Sequence, residues 1–105
     1  MSGFYTTGIW TAKADEEEAF VEAWLAFADW ARQMPGAGTL TLARDMSGEA
    51  RFVSFGRWES IEAVHAWKAS PEFRERMGHV QQHVAQFAPA ELEVVATVDD
   101  APVGA

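Results

Sequence analysis

The sequence predicts an α+β domain, with four strands in one antiparallel sheet and helices packed on one of its faces. Three observations lead there. Short runs of β-branched and aromatic residues alternate with period two, two longer segments carry apolar residues at helical spacing, and Ser70-Pro71 divides the second of these into two pieces. At 105 residues the chain holds one core and has no room for a second.

Phe4 to Ala12 reads as the first strand, with Gly8 permitting close backbone approach or a bulge. In "ADEEEAFVEAWLAFADWARQM", Phe20, Trp24, Phe27, Ala31 and Met34 recur at helical spacing, while Glu18, Glu22, Asp29 and Gln33 fall opposite. Asp15 suits the N-cap with Glu18 three residues on, the acidic first turn complements the helix dipole, and Pro35 to Gly38 end the helix. "DEEE" is therefore a solvated helix start and not a metal site.

"TLTLARD" sets Leu40, Leu42 and Arg44 against Thr39, Thr41 and Ala43. With "RFVSFGRWE" after the turn "MSGEA" it makes a β-hairpin. Ser60 then caps a short helix with Ile61, Val64, His65 and Lys68 along one side. Ser70-Pro71 starts another helix, because proline is tolerated at the first helical position and disfavours helix in the residue before it. Phe73, Met77, Val80, Val84 and Phe87 give this piece an apolar stripe, Pro89 lies beyond its end, and "ELEVVATV" is the last strand. The order βαββαβ is the ferredoxin-like one, and burial of the second sheet face against another copy of the chain would make a homodimer.

Composition excludes several chemistries. The absence of cysteine removes disulfides, thiol nucleophiles, thiolate metal sites and iron–sulfur clusters. A net charge of -8 repels nucleic acid and anionic lipid. No run approaches the roughly 20 apolar residues of a membrane span, and "MSGFYTTGIW" lacks a basic patch before a hydrophobic run, so the expected location is cytoplasmic. Five Trp, seven Phe and one Tyr exceed what so small a core encloses, which calls for a cavity or a subunit interface.

"PGAGTLTLARD", "FVSFGRWESIEAVHAWKASPEFRERMGH" and "LEVVATV" together resemble the antibiotic-biosynthesis monooxygenase family, the dimeric α/β-barrel proteins. The resemblance runs from the first strand to Val98, giving a domain over 1–98 and a tail over 99–105. It implies a homodimer whose two sheets close into a barrel, with an apolar pocket in each subunit. It also implies oxidation of a hydroxylated aromatic or polycyclic metabolite by O2 without a cofactor, although other members degrade haem or have no known activity.

The haem-degrading branch uses an asparagine on the first strand, a tryptophan on the second helix and a histidine about ten residues later as iron ligand. Trp67 matches the tryptophan, but Thr7 stands at the first position and Arg76 and Met77 in the ligand region. His79 is two or three residues out of phase, at about 100° of rotation per residue. Haem is therefore disfavoured, with a nonstandard haem site on His79 left open.

A cofactor-free oxygenase needs a dry aromatic cavity, a base, and a polar group for the developing anion. The resemblance puts Trp67 in the pocket, where it would equally serve by packing on the sheet. His65 is the candidate base, with a partly buried structural histidine as the plainer reading. Tyr5 and Thr7 point together from the first strand as donors to a substrate oxygen. Trp24 and Phe27 are candidates for the cavity wall or simply core. Arg44 reaches either the cavity, the dimer barrel or water. His79 and His83 share a flank of the last helix near Arg76 and could bind an anion, but a pair without a third ligand makes no metal site. A noncatalytic small-molecule-binding dimer is the rival reading, favoured if none of His65, His79 and Tyr5 faces the cavity.

Overall fold

In the computed structural model, which describes residues 3–99, the elements follow as β1 (Phe4–Ala12), α1 (Glu17–Ala31), β2 (Ala37–Arg44), β3 (Arg51–Trp58), α2 (Ile61–Ala69), α3 (Pro71–Gln81) and β4 (Val84–Glu93). The strands form one antiparallel sheet in the order β2-β3-β1-β4. This is the expected ferredoxin-like α+β fold, with its second helical region broken in two. None of the described helices is long and apolar enough to cross a membrane. Apart from Asp99, the expected tail lies outside the described residues.

Strand alternation sorts the sheet into two unlike faces. Trp10, Ala12, Phe52, Ser54 and Trp58 turn toward the helices and are buried with Phe20, Trp24, Phe27, Ala28 and Ala31 of α1, Val64 and Trp67 of α2, and Val80 of α3. Each large apolar side chain enclosed in this way stabilises the fold by roughly 1.5–3 kcal/mol. The other face carries Tyr5, Thr7, Ile9, Val53, Phe55 and Leu92, and here Ile9, Phe55 and Leu92 are 41%, 40% and 47% exposed. One face makes the core and the other lies open.

The helix junction follows the sequence. Ser60, in extended conformation, accepts from the Ala63 N–H at 3.1 Å and starts α2. Ser70, also extended, donates its hydroxyl to the Trp67 carbonyl at 2.9 Å and accepts from the Phe73 N–H at 3.3 Å. One serine thus closes α2 and opens α3, with Pro71 at the first helical position, where its missing N–H is not needed.

Two expectations require correction. Asp15 is not the N-cap: it adopts a left-handed turn at φ 64°, and Glu16 occupies the cap without a side-chain hydrogen bond. The larger error concerns the C-terminal third, where Val84 and Phe87 belong to β4 and not to α3, Pro89 lies inside that strand opposite Gly8, and only Glu91, Leu92 and Glu93 of "ELEVVATV" are strand. The cause is a register shift beside Thr11 and Ala12, where Ala12 pairs with Val84 and Thr11 with Gln86, leaving Ala85 as an extra residue. The bulge turns both Val84 and Phe87 to the core side despite their spacing of three, which imitates a helix. Proline is tolerated there because β4 is an edge strand.

Candidate active site

Between the helix-side face of the sheet and the three helices lies a cavity of about 260 Å³. Thr6, Gly8, Ser54 and Gly56 contribute to its floor, Trp24, Phe27 and Ala28 come from α1, Trp67 and Lys68 from α2, Phe73 and Met77 from α3, and Phe87 and Pro89 from β4. Glycine at position 8 is required by the packing. A Cβ there would stand 2.8 Å from both Phe87 Cε1 and Trp10 Nε1 and 2.9 Å from Ser54 Oγ, closer than packed atoms approach.

Aromatic rings fix the walls. Trp67 stacks on Trp58 with centroids 4.7 Å apart, meets Phe73 edge-on at 4.9 Å and leans on Phe27 at 5.8 Å. Trp10 stacks on Phe87 at 4.0 Å. The helix break at Ser70 places Trp67 and Phe73 on either side of a bend, so both rings bound the same hollow.

The polar groups are few and mostly engaged. Trp10 Nε1 donates to Ser54 Oγ at 2.9 Å, and Trp58 Nε1 donates to Thr6 Oγ1 at 3.1 Å, which leaves each hydroxyl hydrogen able to turn toward a guest. Trp67 Nε1 is buried and has no acceptor among the described residues. Such an unpaired donor costs about 1–3 kcal/mol. Among the described residues, Lys68 is the only charged one in the lining, and its Nζ donates to Glu91 Oε2 at 2.9 Å. His65 Nε2 bonds the other oxygen of the same carboxylate at 3.1 Å. The hydrogen bond from Lys68, and then that from His65, holds the Glu91 carboxyl below the usual carboxylate range.

Of the residues singled out from sequence, Trp67, Trp24, Phe27 and Thr7 line the cavity. Alternation directs the Thr7 side chain to the open face, so its contribution to the wall is main chain. Tyr5 shares that open face and is outside the lining. His65 is not on the inward side of α2: Val64 and Trp67 define that direction, and His65, 62% exposed, is turned away to Glu91. Arg44 is outside the cavity lining, where it pairs with Glu17 and lies 4.8 Å above the Phe52 ring. Arg76 lies over Trp30 at 5.1 Å and beside Glu72 at 3.7 Å, outside the cavity.

His79 is exposed on α3, whereas His83 lies past the helix end with Nδ1 2.9 Å from Glu16 Oε1, so the two do not form a shared flank. No histidine among the described residues lines the cavity, and none is placed to ligate haem iron there. The residues do not fit that group. Nor do three potential metal ligands come together among the described residues.

The sequence reading missed Lys68, Ser54 and Thr6 as cavity groups. Lys68 was visible in principle, because it follows Val64 by four residues and Trp67 by one and so borders the buried stripe. Ser54 and Thr6 carried no signal apart from strand parity.

No curated protein matches the chain significantly. Among solved structures, a variant of SnoaB, a cofactor-independent oxygenase from Streptomyces nogalater, superposes with a TM-score of 0.84 at 15% identity, over 93% of this chain and 98% of that one. A Deinococcus radiodurans protein assigned to the antibiotic biosynthesis monooxygenases gives 0.82 at 17% identity, over 94% and 99%. Rv0793 from Mycobacterium tuberculosis gives 0.74 at 20% identity, over 95% and 99%. At these identities the likeness establishes the shared fold. The family follows from the sequence pattern itself: residues 5–78 match the model of the antibiotic biosynthesis monooxygenases, and the chain belongs to that family.

Proposed function

We propose that the protein is a cofactor-independent monooxygenase that oxidises a hydroxylated aromatic or polycyclic metabolite with O2. The observation that carries this reading is the cavity itself, an aromatic-walled space containing few polar groups and bordered by the unpaired Trp67 indole N–H. An electron-rich phenol, once ionised, supplies the electrons, so the protein's task is to exclude water and hold the developing anion. For an anthrone, one atom of O2 becomes the new carbonyl oxygen and the other leaves as water with the two hydrogens of the oxidised carbon. Trp67 Nε1–H, Ser54 Oγ–H and Thr6 Oγ1–H are the candidate donors to the substrate oxygen.

The family and the SnoaB likeness support the oxygenase reading. The exposed Ile9, Phe55 and Leu92 on the open sheet face support a homodimer closing two sheets on each other. The decisive test is aerobic incubation with anthrone, following O2 consumption and anthraquinone formation. Turnover above the buffer rate that falls sharply in Trp67→Phe is expected. Consumption at the buffer rate with anthrone and with a panel of quinols would end the enzymatic reading.

One observation favours noncatalytic binding instead: none of His65, His79 and Tyr5 lines the cavity. In that case anthrone binds to the protein without any O2 being consumed.

A further inference from the structure

Building on the cavity as a site for an aromatic hydroxyl compound, we propose that Lys68 is its anion-binding and specificity-determining residue, recognising the ionised hydroxyl of the guest and so favouring the phenolate over the phenol. Lys68 is the only charged side chain in the lining among the described residues, and it stands next to Trp67 in sequence with its side chain partly exposed. Lys68, Phe73 and Met77 also border a neighbouring surface groove with Arg74, a second cation with no carboxylate at ion-pair distance among the described residues. In a chain of net charge -8, two cations therefore stand at the rim of the cavity.

Glu91 holds the ammonium in place, and His65 allows it to be released to a guest. Lys68 Nζ bonds Oε2 of Glu91 while His65 Nε2 bonds Oε1, so the carboxylate keeps one partner when the ammonium turns to a guest. An ammonium also has three hydrogens, and Glu91 occupies one of them. Glu91 is thus a positioning residue that competes with the guest's oxygen for Lys68, while His65 remains as its alternative partner. The arrangement supplies what the missing cavity histidine does not. A cation within a few ångströms lowers the pKa of a bound phenol, generating the oxidisable anion by stabilising it rather than by a dedicated base.

The test uses 2-naphthol under argon, with naphtholate absorbance read against pH for free and protein-bound probe. Binding without oxygen separates this inference from turnover, since the anthrone assay can fail while the shift stands, or succeed while the shift is absent. The bound probe should ionise about one pH unit below the free probe, as expected for an opposite charge within about 4–6 Å. Lys68→Met should abolish the shift with 2-naphthol still bound, and Lys68→Arg should retain it. Glu91→Gln should enlarge the shift and tighten naphtholate binding by about threefold, the scale of an exposed ion pair. A purely structural Glu91 would instead weaken binding when replaced. Failure of 2-naphthol to bind, an unshifted ionisation in the intact protein, or an equal shift in Lys68→Met would each overturn the proposal.

Discussion

The indoles of Trp58 and Trp67 stack at 4.7 Å with 29° between their planes, joining the last residue of β3 to the buried face of α2. Trp58 is 1% exposed and donates to Thr6, which makes it a fixed base on which the cavity wall rests. Its truncation in Trp58→Ala should lower unfolding stability by about 3–5 kcal/mol, measured by urea denaturation. Trp67→Phe keeps most of the ring area but removes the unpaired N–H, and should reduce anthrone oxidation by about 100-fold, the scale of losing one preorganised donor. If both variants lose stability and activity in proportion, Trp67 is only packing.

Ser70 holds the bend through two hydrogen bonds, one to each helix. Ser70→Ala should cost about 1 kcal/mol, visible as a lowered denaturation midpoint. It should also loosen Trp67, whose carbonyl loses its hydroxyl partner. Retention of the full midpoint would show that Pro71 alone sets the break.

Position 8 tests the floor of the cavity. A methyl group there meets Phe87, Trp10 and Ser54 at 2.8–2.9 Å, so Gly8→Ala should destabilise the fold by about 1–3 kcal/mol through overpacking. The rearranged Phe87 ring should also diminish 2-naphthol binding. Unchanged stability and unchanged affinity together would mean that the floor yields easily.

Acid should weaken the contact between α2 and β4. The Glu91 carboxyl is held below its usual range by Lys68 and then by His65, so its folded pKa lies below its unfolded one. The stabilisation is therefore present above the unfolded carboxylate range and is lost as pH falls through the folded value. Midpoints measured across the acid range should fall less steeply for Glu91→Gln than for the intact protein. Parallel slopes would assign no role to this carboxylate.

The open sheet face gives a test of assembly. Phe55→Glu places a charge at the centre of that face, opposite Thr7 on β1, and should convert a dimer to a monomer in light scattering while preserving the circular dichroism spectrum. A monomer before substitution would remove the barrel from the proposed function.

Local chemistry made much of this fold readable. β1 was delimited by its β-branched and aromatic residues, and Ser60, Ser70 and Pro71 marked the helix boundaries because each solves a specific backbone problem there. β4 was hidden because its bulge spaces Val84 and Phe87 as a helix would, and because alanine, glutamine and proline are weak strand formers whose pairing is imposed by β1.

At the site, Trp24 and Phe27 are legible as large rings on the apolar stripe of α1, whereas Trp67 is reached through the family resemblance and not through the periodicity of α2. His65 is preferred to Lys68 for its chemistry, although the spacing to Val64 and Trp67 sets Lys68 closer to the buried stripe. Both fall on the same side of the Val64–Trp67 direction and reach Glu91, but Lys68 lies nearer the buried stripe and lines the cavity, whereas His65 is turned further out.

Pro89 has a consequence for the company the sheet keeps. It lies in β4, whose outer side has no neighbouring strand, and it lacks the N–H that an incoming strand would need. Sideways growth of the sheet toward fibrils is therefore disfavoured at that rim.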